Sequence, residues 1–278
     1  MPISTLKLVI TSIIWCFFMA MLSAQQGLPP SAGARGRALG GAGLTFQDVY
    51  AAWSNPAGLA KLEDIGVILS GEQRYGLTEL QDVGLAAALP LGGGGLGLTV
   101  SSFGFEAYRD TRLALSYGRK LFDNFRIGGE IVGLNTSVEN YESRFNATFS
   151  LGFQIDLDRD LSIGTRLVSP MRVEVAVGET LPQLLGIGIG YRPTDQLLLM
   201  AEMEQEIDFL ARFRFGLEYA LVESFTFRAG VVTEATEISF GAEYQAAQLF
   251  RIGLVAAYHE TLGWSPGVEI VFVPGEKE

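Results

Sequence analysis

The sequence predicts an all-β protein, an antiparallel transmembrane β-barrel of about 14 strands with an N-terminal plug segment. From residue 65 onward, apolar and polar residues alternate in segments of about ten residues, the length of a tilted membrane-crossing strand. Hydrophobic residues make up 48% of the 278-residue chain, and its mean hydropathy is +0.27. No apolar run reaches the roughly 18 to 20 residues that a membrane-spanning helix needs. An apolar chain of this kind must satisfy its backbone in a packed core or in a closed barrel.

The N-terminus is predicted to be a secretory signal peptide of residues 1–24. Lys7 supplies the positive charge, residues 8–21 form a short apolar region, and Ser23-Ala24 precedes a plausible cleavage site. Cys16 is the only cysteine and falls inside this signal, so the mature chain is expected to have neither a disulfide nor a thiol site. Export without disulfides suits a bacterial envelope. The remaining predicted divisions are a plug at 25–64, a barrel at 65–273 and a tail at 274–278.

The predicted plug contains the one stretch of the mature chain that does not read as strands, residues 34–62. It contains a glycine-rich run and a helix-like run, followed by Asn55-Pro56-Ala57-Gly58. Pro56 fixes its own φ and disfavours helical backbone at Asn55, so a defined kink is expected there. Two interpretations remain open for these four residues: a gate whose backbone contacts the barrel wall, or a rigid structural corner.

Fourteen strands are predicted, separated by polar turns such as Asp123-Asn124 and Pro193-Thr194-Asp195. Their ranges are roughly 65–73, 81–90, 95–104, 110–121, 125–137, 143–156, 161–169, 183–192, 196–206, 210–220, 225–233, 238–244, 249–258 and 266–273. The longer connections fall at one end of the barrel and the short turns at the other, an asymmetry typical of outer-membrane barrels. The longest connection, residues 170–182, is expected to extend its hairpin.

The two faces of each strand differ in charge. In the tenth strand, Phe213 and Phe215 lie on one face and Arg212 and Arg214 on the other. A soluble sandwich also alternates, with its apolar face inward. The apolar faces here hold almost no charge over whole strands, and the polar faces mix glycine with both charge signs. This pattern favours an apolar exterior in lipid and a polar lumen.

Five charged residues are the candidate lumen groups: Glu202, Glu204, Arg212, Arg214 and Arg228. A turn centred near Asp208 would place Glu202 opposite Arg214 and Glu204 opposite Arg212, where opposite charges stabilise a strand pair. These groups either line a polar path or satisfy one another inside a small barrel, and the sequence leaves both interpretations open.

Several classes of function are disfavoured. The formal net charge of -11 argues against nucleic acid as a partner. His259 is the only histidine, so no metal-ligand cluster is available, and no catalytic geometry can be inferred from Ser265 nearby. We therefore predict no catalytic residue, no metal and no cofactor, and we expect a protein that is not an enzyme.

Two sets of motifs resemble a known superfamily. Gly40-Gly41-Ala42-Gly43, Asp48 and Trp53-Ser54-Asn55-Pro56-Ala57-Gly58-Leu59 resemble the N-terminal segment of the FadL/PorV/PorQ superfamily. Residues 216–219, 227–230, 181–182 and 186–193 are similar to the PorV/PorQ branch. The resemblance covers nearly the whole mature chain and implies a fourteen-stranded outer-membrane barrel with an N-terminal plug.

The resemblance also implies a function and partners. PorV-type members serve type IX secretion by binding the translocon or shuttling cargo, whereas FadL-type members take up hydrophobic molecules by diffusion. We therefore expect a PorV/PorQ-like protein of the bacterial outer membrane, acting in transport or as a type IX secretion accessory. The alternatives are passive uptake of small hydrophobic compounds and a closed structural or partner-binding barrel. The expected partners are outer-membrane lipid and either a secretion translocon, a cargo protein or small hydrophobic solutes.

Overall fold

The computed structural model describes residues 33–140, 143–171, 173–176, 179–207, 209–234 and 236–274. The predicted signal peptide, plug residues 25–32, the turn centre at Asp208 and all but the first residue of the tail lie outside these ranges. Within them, no helix has both the length and the apolar character needed to cross a membrane.

Fourteen antiparallel strands close into a barrel in which every strand pairs with its neighbours, and the first strand pairs with the last. They are β1 (Gly66–Gln73), β2 (Gln81–Leu91), β3 (Gly94–Gly104), β4 (Tyr108–Phe122), β5 (Phe125–Val138), β6 (Arg144–Asp156), β7 (Leu161–Val168), β10 (Leu184–Thr194), β11 (Leu197–Glu206), β12 (Arg212–Val222), β13 (Phe225–Val232), β14 (Glu237–Ala247), β15 (Phe250–His259) and β16 (Gly263–Phe272). The predicted strand count and order are confirmed, with boundaries displaced by at most about three residues, the usual scatter of strand ends.

The connection between β7 and β10 differs from the expectation. It holds a separate two-stranded sheet of β8 (Glu174–Ala176) and β9 (Glu179–Thr180) instead of an extension of the barrel hairpin. Ser169 has a φ of 49°, which takes the chain out of the extended conformation. Pro170 follows it and has no N–H to continue a strand ladder. The β7–β10 ladder therefore ends at the pair Val168 and Leu184.

The apolar faces of the strands point out of the barrel and the polar faces point into it. Phe213, Phe215 and Ile131 are 43%, 46% and 69% exposed, whereas Arg166 and Arg228 are buried. A soluble sandwich would bury those apolar side chains between two sheets, so that alternative is wrong. A closed barrel with an apolar exterior and a charged interior is a transmembrane β-barrel.

Residues 33–62 fold inside the barrel as the plug. It contains helix α1 (Gly33–Ala38), helix α2 (Ala51–Ser54) and a 3₁₀ helix, Pro56–Lys61. Its apolar side chains, among them Leu39, Phe46 and Leu59, form one buried cluster with wall residues that include Leu198 and Met200. One end of the barrel carries two-residue turns at residues 92–93, 123–124, 195–196, 223–224 and 248–249. The plug reaches from this end, where Lys61 pairs with Asp156, to Glu72 and Glu237 near the other end.

Candidate functional site: the plug and its contacts with the barrel wall

The predicted kink at Asn55 is present. Asn55 has an extended backbone, with φ of −152° and ψ of 107°, and separates α2 from the 3₁₀ helix that Pro56 begins. Its side-chain Oδ1 accepts a hydrogen bond of 3.2 Å from the Ala57 N–H. Asn55 therefore caps the following helix, which is a favoured role for asparagine because its side chain satisfies a free helical N–H.

The same side chain joins the plug to the wall. Asn55 is fully buried, and its Nδ2 donates to the carbonyl oxygens of Leu44 at 2.8 Å, Phe153 at 3.2 Å and Thr165 at 3.4 Å. Leu44 belongs to the plug, whereas Phe153 lies on β6 and Thr165 on β7. The corner thus contacts the wall, a contact that the gate and the structural-corner interpretations both allow.

Glycines on the inward face of the wall let the plug backbone approach closely. A Cβ added at Gly128 would overlap the backbone of Pro56, and one at Gly152 would overlap Asn55 Oδ1. A Cβ added at Gly164 would overlap the carbonyl oxygen of Leu44, and one added at Gly230 would overlap the amide nitrogen of Gly40. Because a side chain would prevent each approach, these glycines are required by packing.

Ala57 and Gly58, the other two predicted site residues, pack within the plug. Ala57 is fully buried. A Cβ at Gly58 would overlap the Phe46 carbonyl and lie 2.8 Å from the Ala51 Cβ. The compact shape of the plug therefore depends on the small size of both residues.

Arg166, a wall residue that was not among the predicted site residues, holds the end of α2. Arg166 Nη1 donates to the carbonyls of Trp53 and Ser54, each at 2.6 Å, and Arg166 Nη2 bonds Glu130 Oε2 at 2.5 Å. Arg112 pairs with the other oxygen of Glu130 at 3.1 Å. A cation at a helix C-terminus satisfies carbonyls that have no partner within the helix.

Helix α1 is held by carboxylates of the wall. Arg35 bonds Glu218 through Nε and Nη2, both at 2.7 Å, and bonds plug residue Asp48 at 2.5 Å. Burial lowers the pKa of the Arg35 guanidinium, but Glu218 and Asp48 outweigh it, so the pKa lies well above its ordinary value. Arg37 pairs with Glu72 and with Glu237. Arg35 bonds both oxygens of Glu218, and Arg37 bonds two carboxylates, so the side-chain conformations of both arginines are restricted.

Glu269 on β16 makes two further bonds to the plug. It accepts from the Ala34 N–H and from the Tyr50 hydroxyl, both at 2.7 Å. Burial, together with the negative charge of Glu269, raises the pKa of Tyr50 well above its ordinary value. The phenol therefore stays protonated and donates this hydrogen bond over the whole physiological range.

The five predicted lumen charges all lie on inward faces, and their register is as predicted. Glu202 lies opposite Arg214 and Glu204 opposite Arg212. Glu204 bonds Arg214 at 2.7 Å and pairs with Arg212 at 3.5 Å. Glu202 instead accepts from the plug amides of Gly43 and Leu44 at 2.8 and 2.7 Å. Arg228 pairs with Glu218 and Glu243.

The predicted set omitted Arg166, Glu218 and Glu269, which bond the plug directly, and Glu130, which bonds Arg166. Each lies on the polar face of a predicted strand, so the alternation predicts that its side chain points into the lumen. No local pattern links these positions to residues of the plug, because the separations exceed one hundred residues along the chain in most of these contacts.

The plug separates two polar regions of the barrel interior. On the short-turn side, a cavity of about 780 Å³ is lined by the plug loop at Thr45, Gln47 and Asp48 and by the wall residues Asp156 and Arg192, among others. On the other side, Arg112, Glu130, Glu204 and Arg212 form ion pairs. The apolar cluster of the plug lies between them.

No group of three or more histidine, cysteine, aspartate or glutamate side chains suited to a metal ion occurs within the described ranges.

No protein-family model and no curated protein matches the chain. Solved structures with the same fold include transporters and channels. The chain is similar to the toluene transporter TbuX of Ralstonia pickettii, with 15% identity and a TM-score of 0.64 over 90% of this chain and 98% of that one. A FadL homologue of Pseudomonas aeruginosa aligns at 13% identity and a TM-score of 0.63, over 88% and 97% of the two chains. The toluene transporter TodX of Pseudomonas putida aligns at 12% identity and a TM-score of 0.60, over 87% and 96%. The fold is that of FadL-type barrels of the outer membrane.

Proposed function

We propose that this protein is a transport barrel of the bacterial outer membrane that passes small hydrophobic compounds, with the plug controlling their passage. The observation that carries the proposal is the folded plug inside the barrel, whose apolar side chains form one buried cluster with residues of the wall. The similar structures named as toluene transporters support this choice of solute class. On this proposal the protein is not an enzyme, and its surroundings are outer-membrane lipid.

The chemistry of the barrier favours apolar solutes. A solute that crosses the plug level must pass plug residues such as Leu39, Phe46 and Leu59 and the facing wall residues Leu198 and Met200. Apolar molecules gain free energy in such surroundings, whereas polar molecules lose their hydration. The corner at Asn55 and Pro56 is the gate in this proposal, because its backbone contacts the wall at Gly128 and its side chains contact the wall at Gly152.

The gate is tested by enlarging Ala57, the fully buried residue of the corner. Ala57→Leu should change the uptake of radiolabelled toluene by bacterial cells that produce the protein, relative to the unaltered barrel. Ala147→Leu is the matched control, since Ala147 is exposed on the outer face of β6. Both variants must first show assembly, as a folded band on unheated gels. Unchanged uptake in an assembled Ala57→Leu variant would reject the gate.

A second candidate is the PorV/PorQ-like role in type IX secretion, with the barrel binding a translocon or cargo protein. The density of plug anchors favours it, because a plug fixed to the wall at Arg166, Glu202, Glu218 and Glu269 suits a scaffold. Purification from native membranes without crosslinking separates the candidates. A large secretion complex that copurifies would support the second, and recovery of the barrel alone with facilitated toluene uptake would support the first. A barrel with neither property and no conductance in planar bilayers would be structural.

A further inference from the structure

A small cavity lies between the plug and strands β1 and β2, on the far side of the barrel from the Asn55 corner. It has a volume of about 20 Å³ and is lined by Gly33, Ala34 and Trp53 of the plug and by wall residues that include Ser70, Glu72 and Asp82. A cavity needs about 10–15 Å³ of this volume to hold one water molecule, so the space admits one water and nothing larger.

The indole of Trp53 brings an unsatisfied donor to this cavity. The residue is 4% exposed, and its Nε1 has no hydrogen-bond partner among the described residues. A Cβ added at the cavity-lining Gly84 would lie 3.1 Å from Trp53 Cζ2 and 3.8 Å from Cε2, the carbon bonded to Nε1. A Cβ added at Gly33, which also lines the cavity, would lie 3.0 Å from Trp53 Cζ3. The indole therefore borders the cavity with its six-membered ring, and Nε1 is two bonds from Cζ2. A buried donor without an acceptor costs about 1–3 kcal/mol, so such groups are normally satisfied.

The wall of the cavity supplies acceptors. Glu72 and Asp82 are directly opposite each other on β1 and β2, both facing inward. Like charges in this position repel each other. Arg37 and Arg74 offset the repulsion, with bonds of 2.8 Å to Glu72 and 2.7 Å to Asp82. Each carboxylate has more acceptor sites than a single guanidinium N–H uses.

We propose that this cavity is a hydration site in which one ordered water accepts a hydrogen bond from Trp53 Nε1. The same water donates to oxygens of Glu72, Asp82 or Ser70 on the wall. A buried water commonly makes about three hydrogen bonds, and this arrangement supplies one donor and at least two acceptors. The water thus adds a link between Trp53 and strands β1 and β2, beside the direct bond from plug residue Arg37 to Glu72 on β1.

The test uses Trp53 as a spectroscopic probe. Trp264→Phe leaves Trp53 as the single tryptophan of a mature chain from which the signal, with Trp15, has been removed. The indole N–H vibration, followed by ultraviolet resonance Raman scattering, should then report a hydrogen-bonded donor. Gly84→Ala should displace the water, because its Cβ would also lie 3.2 Å from Ser70 Oγ, and should shift the band to the unbonded position.

Gly71→Ala is the matched control, since a Cβ there would meet nothing within 4 Å, and it should leave the band in place. An unbonded N–H in the parent, or a bonded one in Gly84→Ala, would overturn the proposal. So would loss of the bonded band on deletion of residues 25–32, because the acceptor would then belong to the chain. If Gly84→Ala does not assemble, a crystal structure of the unaltered barrel decides. A water within hydrogen-bond distance of Trp53 Nε1 and a wall oxygen supports the site, and an empty cavity contradicts it.

Discussion

Adding one methyl group at Gly128 should displace the plug without preventing closure of the barrel. The new Cβ of Gly128→Ala would overlap the carbonyl carbon of Pro56 and the amide nitrogen of Ala57, which are backbone atoms that cannot rotate away. The wall is equally constrained, because Gly128 is paired with Gly118 and Gly152 on both sides. Overpacking of this kind costs about 1–3 kcal/mol, which corresponds to about a 5- to 150-fold shift toward a displaced plug.

The assay is limited trypsin digestion of the purified barrel, with cleavage after Lys61 as the readout of plug displacement. The rate should rise by about the same 5- to 150-fold in Gly128→Ala, since cleavage follows the population of the open form. Gly129→Ala is the control, because its Cβ would point outward into open space. Equal cleavage rates in the two variants would refute the inference that the plug backbone rests against inward glycines.

Three further changes test the plug anchors by urea unfolding of the barrel in lipid. Arg166→Met should destabilise the protein by about 3–5 kcal/mol, because it leaves the buried Glu130 with one partner fewer. Adding Glu130→Gln should restore part of the lost stability. A double variant no more stable than Arg166→Met alone would contradict this. Because the pKa of Tyr50 is raised on folding, its contribution to stability should be complete below about pH 10 and lost as the pH rises further. Tyr50→Phe should flatten this alkaline decline, and parallel curves for the two proteins would exclude it. Asn55→Ala should cost at least the roughly 1 kcal/mol of a lost helix cap, and equal stability of Asn55→Ala and the parent would contradict the cap. Asn55→Asp keeps the cap acceptor but loses the donors to Leu44, Phe153 and Thr165 and sets a buried carboxylate against their carbonyl oxygens, so it should also be less stable than the parent.

The wall was predictable from the sequence because a membrane strand carries its signal locally. The period of two identifies both faces of a strand, and polar turns limit its ends. The register of β11 and β12 followed from the short turn between them, which places Glu204 opposite Arg212. The connection after β7 was mispredicted because the left-handed backbone at Ser169 has no sequence signal comparable to a glycine.

The plug was predictable only in outline. The kink at Asn55 follows from the proline after it, but the wall carbonyls that Asn55 binds belong to no motif. Similarly, the sequence places glycines such as Gly128 on the polar face without revealing that the plug backbone fills the space they leave. Contacts such as Arg35 with Glu218 join residues 183 positions apart, and only the closed barrel brings them together.

The central inference is that the apolar strand faces contact lipid and the polar faces enclose the lumen. Spin labels on single cysteines at Phe145, Asn146, Ala147 and Thr148 of β6 test it directly in a barrel produced without residues 1–24, and therefore without Cys16. In bilayers, labels at 145 and 147 should be relaxed by oxygen dissolved in lipid, and labels at 146 and 148 by a water-soluble nickel chelate. The opposite alternation, or access of the chelate to all four positions, would contradict the membrane-embedded barrel.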